Sequence, residues 1–208
     1  MRRLLIVPAL LLLGSCATLD KNECLAGDWQ GIGLRDGAAG APMSRVDDHA
    51  KACAPHGVTP DVTAWKRGRE QGLLDYCQPQ RGFRVGAAGS SYAGVCPADL
   101  EPDFLAGYSD GKLIYSAKQD VDRASSDASN AYYEAERLEK EMRQQEARLA
   151  DPKLTAQERE SIRAGLKRLR NDRERALDAM ERAKRDESRA QRDLDDLQAR
   201  FTAIYGDV

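Results

Sequence analysis

The residues able to carry chemistry are few and scattered. His49 and His56 are the only histidines, and being seven apart they do not share a helix face at four-residue spacing. Asp47 and Asp48 adjoin His49, and the group reads as a solvated loop; a metal or acid–base site there needs a third group brought in by the fold. Ser90 and Ser91 follow Gly89 without the G-x-S-x-G elbow of a hydrolase. Gly31 and Gly33 form a G-x-G, yet no hydrophobic strand precedes them, so a dinucleotide fingerprint lacks its context. No catalytic residue, metal site or cofactor is expected, and no enzyme activity. Trp29, Trp65, Arg67 and Arg69 form the one candidate ligand surface, because arginine beside an aromatic ring grips carboxylates, sugars or phosphates. A solvated helix face is the plainer alternative for the same residues.

The N-terminus carries an address. Met1-Arg2-Arg3 precedes an apolar run from Leu4 to Leu13, too short for the roughly 20 residues a membrane-spanning helix needs. It reads as the apolar region of a signal peptide over residues 1–15. Leu13-Gly14-Ser15-Cys16 resembles the bacterial lipoprotein box. That resemblance implies cleavage before Cys16, with a diacylglycerol and a palmitate-type chain on the new terminus. Several chains anchor a protein stably, where one does so only marginally. Ala17 stands where the lipoprotein family uses Asp for inner-membrane retention, so the resemblance implies a lipid-anchored, periplasm-facing position at the outer membrane. Residues 16–23 are then expected to be a lipidated tether.

In an exported chain the four further cysteines, Cys24, Cys53, Cys77 and Cys96, suit two disulfides. Local pairing, Cys24–Cys53 and Cys77–Cys96, is preferred because the two halves look self-contained, although spacing does not select among the three connectivities. A tetracysteine zinc site is disfavoured by the absence of close pairs. Residues 24–115 also hold 14 of the 17 glycines, which sets this stretch apart from the remainder. Aromatic residues there precede small residues at steps of three or four: Trp29 with Gly33 and Gly37, Trp65 with Gly68 and Gly72, Phe83 with Gly86 and Ser90, Phe104 with Gly107 and Gly111. Each reads as a short helix bearing a glycine groove, with plain turns as the alternative. The strings Cys24-Leu25-Ala26-Gly27-Asp28-Trp29, Lys51-Ala52-Cys53, Gly57-Val58-Thr59-Pro60-Asp61 and Trp65 to Cys77 resemble an uncharacterised proteobacterial lipoprotein family, a domain of unknown function. That resemblance transfers no activity.

Residues 116–205 read as an antiparallel helical hairpin with its turn near 150–156. Ala117, Val121, Ala124, Ala128, Ala131, Ala135, Leu138, Met142 and Leu149 keep a heptad seam, and Ile162, Leu166, Leu169, Ala176, Met180, Ala183, Ala190, Leu194, Leu197, Phe201 and Ile204 continue it. Asp151-Pro152 interrupts the helix, and Thr155 with Glu158 restarts it as a capping box. The expected fold is all-α: a disulfide-stapled module of short helices followed by a long antiparallel coiled-coil hairpin. A net charge of -2 removes the electrostatic case for nucleic acid. The expected partners are the membrane through Cys16 and a protein through the coiled coil. The expected role is that of a non-enzymatic structural or docking factor, with envelope glycan or lipopolysaccharide binding as the alternative.

Overall fold

The computed structural model describes residues 18–206; the signal segment 1–15 and Cys16 lie outside the described residues. Every regular element among them is helical: α1 (Lys21–Ala26), α2 (Trp29–Ala38), α3 (Arg45–Cys53) with a 3-10 turn at Ala54–His56, α4 (Val62–Tyr76), α5 (Pro79–Ala87), α6 (Glu101–Leu149) and α7 (Ala156–Tyr205). Two compact units result. One holds the described residues up to Gln78 with Tyr92–Glu101, and the other holds Pro79–Ser91 with Pro102 onward. No described helix is long and apolar enough to cross a membrane.

Capping begins the first unit earlier than the composition suggests. Asp20 accepts from the Glu23 amide and Glu23 returns the bond to the Asp20 amide, closing a capping box on α1. Leu19 is buried just before it, so the stretch expected as a lipidated tether is folded from Thr18 onward. Asp28 caps α2 through the Gly31 amide, and Asp61 caps α4 through the Ala64 amide, each at 2.9 Å. Leu19, Trp29, Ile32, Val46 and Trp65 pack around the Cys24–Cys53 bridge. A second bridge joins Cys77 to Cys96, with Cα atoms 5.6 Å apart. Closing loops of 29 and 19 residues, each bridge stabilises by about 3 kcal/mol through the unfolded chain. That contribution matters where so little apolar surface is available to bury.

Glycine sets how α2 meets α4. A Cβ at Gly33 would lie 2.8 Å from the Trp65 carbonyl carbon, and one at Gly37 would lie 2.9 Å from that of Arg69. From the other side, Gly68 abuts the Gln30 carbonyl and Gly72 that of Leu34. The contacts advance together along both helices, so the pair is parallel, backbone against backbone. At its end Gly40 adopts φ 73° and leaves room for the Tyr76 ring.

The second unit contains a pair built the same way. Gly82 and Gly86 of α5 abut the carbonyls of Phe104 and Tyr108, while Gly107 and Gly111 of α6 abut those of Pro79 and Phe83. Gly89, with φ 71°, admits the Tyr115 ring. Phe83 therefore belongs with Gly82 and Gly86 rather than with Gly86 and Ser90. Nor does the chain break near 115, because α6 continues unbroken to Leu149. The composition change marks what packs on the helix, with α5 against its start and α7 farther along.

From there α6 and α7 form the long helical hairpin. Thr155 and Glu158 form the capping box that opens α7. Arg159 donates to the carbonyls of Leu149 (3.0 Å) and Asp151 (2.7 Å), which closes the end of α6. Ala135, Leu138 and Ala176 form the middle of the seam with Leu169 and Leu177. Arg173, a polar seam position, reaches Glu139 at 3.2 Å. Toward the other end Phe83, Ile114, Leu194 and Phe201 are buried together, and Tyr205 stacks on Phe83 at 4.5 Å between ring centroids.

Two outcomes follow from this packing. Gly72→Ala forces the paired backbones apart and should lower the urea midpoint, whereas Gly165→Ala, on an open face of α7, should raise stability by about 1 kcal/mol. The Tyr205 hydroxyl donates to Asp110 at 2.7 Å, and burial first, then that bond, push its phenol up to about 12 from an ordinary 10. A raised phenol pKa stabilises the fold below pH 10 and loses that contribution as pH climbs through 12. Tyr205→Phe should flatten this part of the alkaline unfolding curve, read by far-UV circular dichroism.

Candidate functional site

Sequence spacing conceals a polar constellation of the first unit. Asp36 sits on α2 between Gly33 and Gly37, on the side that packs inward. Its Oδ2 accepts from the Trp65 indole N–H of α4 at 2.7 Å and lies 2.7 Å from His49 Nε2 of α3. His49 is 1% exposed, and its Nδ1 lies 2.8 Å from the Thr18 hydroxyl. A carboxylate only accepts, so Nε2 carries a proton toward Asp36. Nδ1 then accepts from the Thr18 hydroxyl in the singly protonated ring, or donates to its oxygen in the doubly protonated one. Arg45 adds a long ion pair to the other Asp36 oxygen at 3.9 Å.

Hydroxyl, imidazole and carboxylate stand in the order of an acyl-transfer relay. Here the same atoms act as a fastener. Asp36 Oδ2 is shared between two donors, His49 is sealed from solvent, and the Thr18 hydroxyl is committed to the ring. The arrangement ties the start of the described chain to α2, α3 and α4. Asp47 and Asp48 take no part; Asp48 pairs with Lys51 at 3.3 Å. His49 is thus a buried link rather than a loop residue, while His56 is exposed on the 3-10 turn.

The Trp/Arg ligand surface is not assembled. Trp65 is 0% exposed and Trp29 is 6% exposed, because both rings fill the core beside the Cys24–Cys53 bridge. Arg69 is also buried: Nε donates to the Ala41 carbonyl at 2.8 Å and Nη1 reaches the Met43 sulfur at 3.4 Å. Burial lowers its pKa, against the pull of Asp36 and Glu70. Only Arg67 faces outward, beside a shallow depression bordered by Gln30, Gln71, Leu74 and Pro97. Aromatic residues next to glycine stripes are there to fill space, and that outweighs their ligand-binding chemistry.

Cys24, Cys53, Cys77 and Cys96 are all spent in disulfides, so none of these four is a thiolate for zinc. No group of three His, Cys, Asp or Glu among the described residues is placed to hold a metal ion. Residues 28–113 match a family described as a protein of unknown function, DUF2799. The match runs from the cap of α2 into α6, so this domain of unknown function takes in both glycine-paired helix sets and ends within α6. No curated protein and no solved structure matches the chain.

Thr18 and His49 are too far apart in sequence for spacing to reveal their contact. Asp36 did carry a signal, as an acid inside the glycine stripe of a packed helix face. His49→Ala removes one donor from a largely buried carboxylate and should cost about 1–3 kcal/mol in urea unfolding. Arg67→Ala, at an exposed position, should stay within about 0.5 kcal/mol of the parent.

Proposed function

We propose that this chain is a lipoprotein, acylated at Cys16 and held at the outer membrane facing the periplasm, where it works without catalysis as a structural or protein-docking factor. The leader and the Leu13-Gly14-Ser15-Cys16 string support the anchor. Two disulfides support an oxidising compartment. On this reading the glycine-paired helices are two copies of one unit. Gly33-Leu34-Arg35-Asp36-Gly37-Ala38-Ala39-Gly40 returns as Gly82-Phe83-Arg84-Val85-Gly86-Ala87-Ala88-Gly89, and Trp65, Gly68, Gly72 and Tyr76 return as Phe104, Gly107, Gly111 and Tyr115.

The observation that carries the docking role is the hairpin itself. Helices of 49 and 50 residues, each about 75 Å long, far exceed what burying so small a seam requires. Midway along, Tyr132 and Tyr133 are 48% and 68% exposed, edge to face with ring centroids 5.5 Å apart. Large exposed aromatics suit a contact surface better than a solvated spacer.

A photo-crosslinking residue at position 133 of the acylated protein, irradiated in living cells, should give a discrete adduct with one protein. With a general crosslinker, Tyr132→Ala combined with Tyr133→Ala should lose that partner while helicity is unchanged. Irradiation that yields no protein adduct would count against the docking role.

A further inference from the structure

We infer that α1 lies flat on a phospholipid surface, held there by the Thr18–His49–Asp36 fastener rather than swinging on a tether. This rests on the acylation of Cys16 proposed above.

Length carries the first step. Thr18 is fixed to α3 through His49 at 2.8 Å, and His49 to α2 through Asp36 at 2.7 Å. Two Cα–Cα steps, through Ala17, take the chain from Cys16 to Thr18, a reach of at most about 7 Å. The headgroup layer on one side of a bilayer is itself about 6 Å deep. Acyl chains on Cys16 therefore bring Thr18 to the edge of the headgroups, and no free segment remains to lift the first unit away. α1 begins three residues later, at Lys21.

The chemistry of α1 fits that surface. Lys21 and Leu25 are four apart on one helix face, and both are exposed, Leu25 at 58%. The acidic residues at the helix start, Asp20 and Glu23, stay partly exposed, and each holds a bond within the unit. Asp20 accepts from the Glu23 amide, while Glu23 receives the Asp20 amide and Arg35 at 3.0 Å. On its Lys21–Leu25 face α1 offers one ammonium group for lipid phosphate and one leucine for the acyl boundary. A helix of six residues is too short to bind a membrane by itself. With acyl chains attached at its doorstep, orientation is all it has to supply.

The test uses the full acylated protein carrying Leu25→Trp, first checked by mass spectrometry for the lipid on Cys16. It is reconstituted in phosphatidylethanolamine–phosphatidylglycerol vesicles whose acyl chains are brominated near the headgroup. Emission is taken as the difference from the protein with Leu25 intact, which removes the signal of buried Trp29 and Trp65. The expected result is loss of most of the emission from position 25. A flexible glycine–serine spacer inserted between Ala17 and Thr18 should restore it. Acylated, vesicle-bound protein with unquenched emission would overturn the inference and leave the anchor standing. Quenching that persists with the spacer would overturn the fastener's part in it. A chain without lipid on Cys16 would overturn the anchor, and this inference with it.

Discussion

Backbone-to-backbone contact between parallel helices is the constraint on which the rest of the structure depends. Eight glycines, four in each pair, face carbonyl groups closely enough that a methyl group at any of them would collide with the opposite chain. Glycine inside a helix costs about 1 kcal/mol against alanine, so these positions are unfavourable until the partner helix arrives. Local propensity and tertiary packing thus disagree, and packing prevails. Neither helix of a pair has much reason to form alone.

Parallel pairing has a second consequence, because the chain must return the full length of a helix before it can begin the partner. In the first pair the return covers 41–61 and carries α3 and the 3-10 turn; in the second it covers 90–100 and has no helix. Both returns bear a disulfide cysteine, Cys53 and Cys96. The longer return also brings His49 beneath Asp36 and Trp65, which is how a histidine surrounded in sequence by polar residues comes to be 1% exposed. The bridges then fix what the small cores could not hold by apolar burial alone.

Much of this was legible in the sequence, for physical reasons that differ by region. The hairpin was readable because a heptad seam, a proline and a capping box are all local signals, and each acts within a few residues of where it is written. The glycine stripes were readable as helix faces, though not their partners: Gly82 precedes Phe83 while Gly68 follows Trp65, and only the opposing carbonyls reveal which glycines match. Tryptophan misled, since its chemistry suits a ligand surface equally well, and burial is decided by elements distant in sequence. The Thr18–His49–Asp36 fastener was the least readable feature, because three segments with no common spacing meet in it.

The two pairs differ at the positions that decide what each can hold. Between its glycines the first has Asp36, where the second has Val85; Trp65 answers to Phe104, and Arg69 to Tyr108. An indole N–H, a carboxylate and a guanidinium give the first pair a polar interior, and that interior has to be satisfied, which Thr18, His49 and the Ala41 carbonyl do. Phenylalanine and valine ask nothing of the second pair's interior, and the Tyr108 hydroxyl donates to the Ser90 carbonyl at an exposed position. Its investment is on the outside, where Phe83 is 2% exposed beneath Phe201 and Tyr205 of α7. Leu34, the matching position of the first pair, is 43% exposed. One way of crossing helices therefore serves two ends: turned inward and polar it secures the start of the chain, and turned outward and aromatic it roots a long hairpin.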